Sequence, residues 1–407
     1  MNARDYVLDL ARRARDTALT LTRLSPADRN AALVAVADSL ERNRAGIAAA
    51  NAEDVVAARA EGLRDSMVDR LTLTDERFAS MVGGVRHVAT LPDPVGELIW
   101  ERKRPSGIDI RRVRVPLGVI AVVFESRPNV FVDTAALCLK TGNAVILRGG
   151  HESLRTNLAL ASAVRAGLEA VGFPSDAVQL VGITEHDAVR ELVRATGLVD
   201  VAIPRGGERL IRAMCEAALV PVLKHYKGVC HVYVDAKANL DMALAIVDNA
   251  KVQRPGVCNA AECLLIDRAV AEAFLPTVEC WAAEKGVRLH VEGREDIDWE
   301  REFLSLEMNV GFVDGVEAAI GHINRYGSHH SDAIVTADSE RAAMFLRDVD
   351  SACVYHNAST RFTDGAEFGM GAEIGISTDK LHARGPMGLE ELTTYKYEVT
   401  GDGIVRR

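Results

Sequence analysis

The sequence predicts an α/β protein made of two open α/β domains and one β-hairpin. Short apolar runs, as expected for buried parallel strands, alternate with amphipathic helical patterns from residue 117 to about 235, and the alternation resumes from 236 to about 385. At 407 residues the chain is also too long for a single hydrophobic core. Alternation of this kind folds into parallel sheets with right-handed crossovers.

The composition argues against several classes of function. A hydrophobic content of 48% with 26% charged residues is typical of a soluble globular protein. The net charge of −10 argues against nucleic acid or an anionic membrane as the main partner, and no apolar run reaches the length of a bilayer span. The N-terminal residues contain no apolar signal segment and the seven cysteines are scattered, so we expect a cytoplasmic location. No CxxC or HExxH pair occurs, so no metal is expected.

The first quarter of the chain is predicted to be helical scaffold. Ser25 followed by Asp28 indicates a capped helix start. The predicted helices cover residues 5–22, 26–44 and 48–60, and a further one begins at Thr74.

Residues 98–116 predict a β-hairpin around a turn at 105–107. One face of this hairpin is apolar and the other charged, which favours subunit contact over catalysis, so we expect a homo-oligomer. The tail, 392–405, alternates Tyr395, Tyr397 and Val399 and could add a strand to a partner's sheet.

Strands and helices alternate in both predicted domains. The predicted strands are 117–124, 144–147, 178–181, 199–203 and 220–223 in the first domain, and 263–266, 287–290, 309–313, 332–336 and 352–355 in the second. The helices between them are 131–140, 157–170, 186–195, 208–218, 238–250, 268–284, 315–325 and 338–348.

Two predicted strand ends in the first domain carry arginine and glycine. Arg148 precedes two glycines, and Arg205 precedes Gly206 and Gly207 at the start of a helix. Glycines expose backbone N–H groups at a helix N-terminus, and each arginine adds a charge that can bind phosphate. The pair predicts a nucleotide site. Ordinary glycine turns with solvated arginines are the alternative for each end taken alone.

Cys258 lies in the predicted connection between a helix and the strand 263–266. Pro255 and Gly256 stop the helix, and Arg254 supplies a cation that would favour the thiolate. These features indicate a presented nucleophile. A buried structural cysteine is the open alternative.

Several long motifs resemble those of one known protein family. They occur in the same order as in that family and span most of the chain. One of them is Gln253-Arg254-Pro255-Gly256-Val257-Cys258-Asn259. The others are residues 124–130, 140–144, 203–207, 326–332, 357–362, 371–378 and 382–388. Together they resemble the gamma-glutamyl phosphate reductase family of the aldehyde dehydrogenase superfamily.

The resemblance implies an aldehyde dehydrogenase-like fold that agrees with the segmentation above. The implied domains are a cofactor-binding domain (1–97 and 117–235), an oligomerisation element (98–116 and 386–407) and a catalytic domain (236–385).

The resemblance also implies NADPH-dependent reduction of L-glutamyl 5-phosphate to L-glutamate 5-semialdehyde, a step of proline biosynthesis. The Cys258 thiolate would displace phosphate to form a thioester, which hydride then reduces. The Cys258 N–H and the Asn129 amide would bind the oxygen on which negative charge develops. A contact with glutamate 5-kinase is raised by the same resemblance, and the residues leave it open.

Further site residues carry over from the family position by position. Arg148, Arg205, Gly206, Gly207 and Glu302 are implied to bind the cofactor, and Arg361, Glu373, Ser377 and Arg384 are candidates for substrate binding. A surface carboxylate is the alternative for Glu302, and scaffold ion pairs are the alternative for the substrate group.

The sequence differs from the hydrolytic aldehyde dehydrogenases at one functional position, the glutamate that those enzymes use as a base. The corresponding segment, 223–228, has no carboxylate, and His225 is the nearest titratable residue. Water attack on a thioester would then be poorly assisted, which suits exchange with phosphate. His225 could equally be structural or a phosphate ligand.

Three rival functions stay open at this point. One is another acylating aldehyde dehydrogenase that uses coenzyme A or a different acyl phosphate. A second is a thiol hydrolase built on Cys258 with His225 or His231, and a third is an inactive homologue that acts through interactions.

Overall fold

A computed structural model describes residues 2–406, apart from the side chain of His186. The chain divides into two compact units. The first contains the residues up to Leu223, Met370–Gly375 and the residues from Met387 onward, and the second contains Lys224–Gly369 and Ile376–Pro386. None of the helices in the described part of the chain is long and apolar enough to cross a membrane.

The helices and strands are as follows, numbered in chain order. The helices are α1 (Ala3–Leu21), α2 (Pro26–Arg42), α3 (Arg44–Ala60), α4 (Asp65–Leu71), α5 (Asp75–Thr90), α6 (Pro128–Lys140), α7 (Leu154–Ala170), α8 (His186–Val193), α9 (Glu208–Ala217), α10 (Leu240–Val252), α11 (Arg268–Lys285), α12 (Gly315–Tyr326) and α13 (Ser339–Asp348). The strands are β1 (Leu98–Lys103), β2 (Asp109–Pro116), β3 (Val119–Phe124), β4 (Ala144–Arg148), β5 (Val178–Leu180), β6 (Val201–Arg205), β7 (Cys230–Val234), β8 (Ala261–Asp267), β9 (Arg288–Val291), β10 (Glu307–Val313), β11 (Ser331–Val335), β12 (Cys353–His356), β13 (Ile376–Ser377), β14 (Gly385–Pro386) and β15 (Thr393–Thr400).

The first unit is built on a parallel sheet with strand order β5-β4-β3-β6. Every residue of β3 is buried, which explains its uninterrupted apolar sequence. The chain runs outward from β3 through β4 to β5 and then returns to place β6 on the other side of β3. The carboxyl ends of β3 and β6 therefore form a topological switch point, where open α/β sheets bind ligands.

The helices of the first unit confirm the predicted scaffold. Ser25 and Asp28 form the predicted capping box at the start of α2. Thr74 caps α5 by accepting the backbone N–H of Arg77. The short helix α4 was not predicted from the sequence.

A separate antiparallel sheet in the first unit has the order β1-β2-β15. It confirms the predicted hairpin, whose strands β1 and β2 pair antiparallel. The tail forms β15, which pairs with β2 of its own chain over Thr393–Thr400 and is the edge strand of this sheet. Addition of its outer edge to a partner's sheet stays a prediction.

The second unit is built on a parallel sheet with the order β12-β11-β7-β8-β10-β9. Strand β7 lies in the middle of this sheet, so the predicted boundary at 235 is corrected to Leu223. The predicted strand 220–223 is reduced to one bridge between Ala202 and Val222, because Pro221 has no N–H with which to continue the ladder.

Candidate active site

Cys258 is half-buried in the connection between α10 and β8, as the sequence predicts. Its backbone is held tightly by the segment that enters β7. A Cβ atom added to Gly228 would lie 1.8 Å from the Cys258 carbonyl oxygen. The same oxygen accepts a hydrogen bond from the Cys230 thiol, with Sγ at 3.2 Å. These contacts hold the backbone of Cys258, the candidate nucleophile, in place.

Two histidines accompany Cys258. One ring nitrogen from each of His225 and His330 and the Cys258 Sγ all lie within 4.8 Å of one another. The imidazole rings meet edge to face, with centroids 5.5 Å apart. This arrangement is a thiol surrounded by proton acceptors, the environment that activates a cysteine.

The two imidazoles are held differently. His225 Nδ1 lies 2.7 Å from the Ile376 carbonyl oxygen, which can only accept, so Nδ1 carries the proton and Nε2 has the lone pair. His330 is fully buried, and its Nε2 has no hydrogen-bond partner among the residues that the structure describes. Burial and the neighbouring His225 lower the pKa of His330 to about 3, so His330 is neutral at physiological pH.

The parallel sheet explains why residues so distant in sequence meet. The residues just before β7, β8 and β11 include Gly228, Cys258 and His330, and these three strands are neighbours. Because parallel strands begin at the same edge of a sheet, the three segments converge there. Local sequence identifies Cys258 but not His330, whose only signal is its place in the motif 326–332.

Arg361 supplies positive charge to this cluster. Burial and repulsion by Arg254 lower the pKa of Arg361, and the nearby Cys258 opposes that shift. Its guanidinium donates to Gln253 Oε1, with Nε at 2.9 Å, and to the side-chain oxygen of Asn259. Arg254, which the sequence suggested as the cation favouring the thiolate, is exposed.

Glu302 contacts the backbone of Gly228, the residue packed against Cys258. Its Oε1 accepts the Gly228 N–H at 2.7 Å, so it is not a solvated surface carboxylate as the alternative held. Its predicted contact with the cofactor ribose stays a prediction.

Ser377 and Arg384 are bound within the second unit. Ser377 Oγ accepts the Asp379 N–H at 3.2 Å, and the Arg384 guanidinium pairs with the Asp350 carboxylate at 2.9 Å. These contacts fit the scaffold alternative for both residues. Their roles in substrate binding stay predictions.

The first unit contains the predicted cofactor residues. Arg148 and Arg205 end β4 and β6, on either side of β3, at the carboxyl edge of the sheet. Arg148 is 9% exposed, and within the described part of the chain its buried Nε has no hydrogen-bond partner. Burial lowers the pKa of Arg148, while Glu152 opposes the shift. A buried guanidinium with an unmet donor fits a site for an anionic ligand.

The glycine turn after β6 adds backbone donors to this edge. Gly207 caps α9, and a Cβ added there would meet no atom within 4 Å, so the turn is open. Gly206 is crowded instead, because an added Cβ would lie 2.7 Å from the carboxyl group of Glu125. Glu125, which the sequence analysis missed, accepts the Gly207 N–H at 3.0 Å. The Gly207 N–H is thus bonded to a carboxylate here, and the binding of a cofactor phosphate at this turn stays a prediction.

Asn129 and Glu373 also belong to the first unit. Asn129 lies in the first turn of α6, and its amide donates to Asp133 Oδ2 at 2.9 Å. Burial raises the pKa of Asp133 to about 6, and the bond from Asn129 works against that shift. The predicted roles of Asn129 at the carbonyl oxygen and of Glu373 at the substrate are not tested by these contacts.

Two units built on parallel α/β sheets, with a half-buried cysteine at one edge of the second sheet, fit the layout of an aldehyde dehydrogenase. A sequence model of the aldehyde dehydrogenase family matches residues 2–289. The chain is 51% identical to a gamma-glutamyl phosphate reductase of Moorella thermoacetica, over the full length of both. It matches the crystal structure of the Thermotoga maritima gamma-glutamyl phosphate reductase with a TM-score of 0.97 at 42% identity, over 98% of this chain and 100% of that one.

A more distant structure supports the fold alone. An acetylating aldehyde dehydrogenase from Geobacillus thermoglucosidasius matches with a TM-score of 0.70 at 14% identity, over 100% of this chain and 98% of that one. The chain belongs to the gamma-glutamyl phosphate reductases of the aldehyde dehydrogenase family. The predicted fold class is confirmed. Enzymes of this family are oxidoreductases that use nicotinamide cofactors.

Proposed function

We propose that the protein reduces L-glutamyl 5-phosphate to L-glutamate 5-semialdehyde and phosphate, with NADPH, in proline biosynthesis. The observation that carries the proposal is the convergence of Cys258, His225 and His330 at one edge of the second sheet. The names of the relatives at 51% and 42% identity supply the substrate class.

Cys258 is the proposed nucleophile. Its thiol proton passes to Nε2 of His225, whose Nδ1 proton is held by the Ile376 carbonyl. The thiolate attacks the acyl carbon, a C–S bond forms, and the C–O bond to phosphate breaks with its electron pair leaving on phosphate. The departing phosphate takes up the proton from His225. Arg361 favours the thiolate and the departing anion by its charge.

The cofactor, when bound, supplies the hydride that reduces the thioester carbon. Arg148, Arg205 and the Gly206-Gly207 turn are proposed to hold its phosphates, and Glu302 its ribose. The Cys258 N–H and the Asn129 amide would bind the carbonyl oxygen while it carries negative charge. Breaking the C–S bond then releases the aldehyde and regenerates the thiolate, which takes up a proton.

The substrate's α-carboxylate and α-ammonium need partners of their own. Arg361, Glu373, Ser377 and Arg384 remain the candidates for this role. We also propose a cytoplasmic homo-oligomer. The exposed apolar side chains of the β1-β2-β15 sheet support the oligomer, among them Leu98, Tyr397 and Val399. A contact with glutamate 5-kinase would protect the labile acyl phosphate, and it stays a hypothesis.

The test is phosphate-dependent reduction of NADP by the purified protein supplied with L-glutamate 5-semialdehyde. We expect wild-type activity to require phosphate and Cys258→Ala to be inactive. Coenzyme A in place of phosphate should not support the reaction. Activity that ignores phosphate, or that survives Cys258→Ala, would refute the mechanism.

The same assay tests the cofactor site. Arg148→Met should raise the KM for NADP by at least tenfold while Arg148→Lys retains most of the affinity, because both replacements fill the site and only lysine keeps the charge. Equal KM values in the two variants would remove Arg148 from cofactor binding.

A further inference from the structure

The second unit contains another group of one cysteine and two histidines, made of different residues. His231 on β7, Cys263 on β8 and His322 on α12 each offer one ligand atom, and these atoms all lie within 4.8 Å of one another. His231 and Cys263 are 0% exposed, and His322 is largely buried. Nothing in the reaction proposed above uses these residues.

Strand register brings the first two ligands together. His231 and Cys263 are paired neighbours on β7 and β8. Cys263 packs in the same core cluster as Tyr233 and as Ala319 of α12, so its side chain faces that helix. His322 lies on α12 and meets the His231 ring edge to face, with centroids 5.6 Å apart.

The group contains a buried polar atom without a partner. Among the described residues Nε2 of His322 makes no hydrogen bond, and Nε2 of His231 makes none of ordinary geometry, although the Cys263 thiol lies close enough to interact with the His231 ring. A buried imidazole nitrogen that makes no hydrogen bond costs free energy, so two imidazoles beside one thiol indicate that they bind something. The Trp299 ring packs edge-on to His322 with centroids 4.7 Å apart, which fixes the orientation of the imidazole.

Asp332 orients the His231 ring by contacting its Nδ1 atom. Its Oδ1 lies 2.9 Å from His231 Nδ1 and also accepts the His231 backbone N–H at 2.8 Å. Asp332 lies beside His231 on the neighbouring strand β11. A carboxylate bonded to one imidazole nitrogen while the other is left for a cation is the usual support of a metal-bound histidine.

We propose that His231, Cys263 and His322 form a zinc site in the core of the second unit. Two imidazoles and one thiolate are the donor set that Zn²⁺ prefers, and a separation within 4.8 Å allows one ion to reach all three. A water molecule would complete the tetrahedron. The sequence contains no zinc motif because the ligands come from three separate elements.

The test measures the zinc content of the full chain expressed in zinc-supplemented medium and dialysed against metal-free buffer. We expect about one zinc ion per chain in the wild type. Cys263→Ser and His322→Gln should each retain less than a tenth of it. Because the catalytic cluster is also a Cys/His/His group, Cys258→Ser is the matched control and should retain all the zinc.

Expression with cobalt in place of zinc gives an independent readout. A thiolate-to-cobalt charge-transfer band should appear in the wild type and in Cys258→Ser and vanish in Cys263→Ser. Zinc-free wild-type protein, or zinc lost in Cys258→Ser and kept in Cys263→Ser, would overturn the proposal. If Cys263→Ser fails to fold by circular dichroism, His322→Gln decides, because His322 lies on α12 and its replacement leaves the strands unchanged.

Discussion

Gly228 sets the space around Cys258, the proposed nucleophile. An added Cβ would approach the Cys258 carbonyl oxygen to 1.8 Å and the Cys258 Cα to 2.7 Å, distances that no side chain tolerates. The Gly228 N–H also donates to Glu302. A single glycine thus joins the nucleophile's backbone to a predicted cofactor ligand.

Gly228→Ala is expected to reduce activity while the protein remains folded. The new methyl group must displace the Cys258 backbone, and misplacing a reacting group by about 1 Å costs on the order of a hundredfold in rate. The measurement is kcat in the phosphate-dependent assay, with circular dichroism to establish folding.

The control is Gly46→Ala. Gly46 lies within α3, where an added Cβ meets no atom within 4 Å. Alanine there should leave kcat unchanged and stabilise the protein by roughly 0.5–1 kcal/mol. Equal kcat values for the two variants would show that Gly228 does not position the cysteine.

His330 makes stability depend on pH. Its pKa is about 3 in the folded protein and 6.5 ordinarily, because burial and His225 disfavour the charged ring. Below pH 6.5 the unfolded chain takes up a proton that the folded chain does not. The stabilisation is therefore complete above pH 6.5 and is lost as the pH falls toward 3.

We expect the contribution of His330 to the free energy of unfolding to fall by about 2 kcal/mol from pH 8 to pH 5. His330→Asn should reduce the difference between the free energies of unfolding at pH 8 and pH 5 by that amount, as measured by urea denaturation. His151→Asn is the control, because the His151 side chain is 64% exposed and should leave the difference unchanged. An unaltered pH dependence in His330→Asn would contradict the assignment.

Among the elements, β15 has an exposed apolar face. Tyr395, Tyr397 and Val399 are between 44% and 55% exposed and alternate along the strand. Tyr397 packs against Trp100 of β1, with ring centroids 5.7 Å apart. On β2 the tyrosines pair with Arg114 and Arg112, so this sheet face combines aromatic and guanidinium groups. Both kinds of side chain are enriched at protein interfaces.

The expected outcome of Val399→Lys is a smaller oligomer, because a buried lysine without a partner opposes association. Sedimentation velocity at matched protein concentrations measures it. Lys396→Gln is the matched control on the same strand and should leave the sedimentation coefficient unchanged. A wild type that sediments as a monomer would contradict the interface.

Element prediction succeeded where the pattern is local. Strand β3 is buried on both faces and is therefore continuously apolar, and Ser25 begins its helix through contacts within four residues. Strand β7 was missed, although all its residues are buried, because polar His231 interrupts its apolar run. Prediction of the site had the same limit. Cys258 could be identified from residues near it in sequence, whereas the position of His330 beside it depends on strand order in a parallel sheet.

At the scale of the whole molecule, the predicted functions are divided between the two units. Arg148 and the Gly206-Gly207 turn belong to the first, and Cys258 belongs to the second. The family match over residues 2–289 extends across both. The boundary at Leu223 could not be read from the sequence, because strand–helix alternation continues across it and only the membership of β7 in the second sheet locates it.

The pairing of β15 with β2 affects the order of events during synthesis. Thr393 pairs with Pro116, so about 280 residues separate the partners, and the whole second unit is translated between them. Domains generally fold as units while the ribosome is still elongating the chain. One edge of β2 therefore stays unpaired until β15 has been synthesised. If translation pauses within the second unit, that edge is exposed and could pair with other chains.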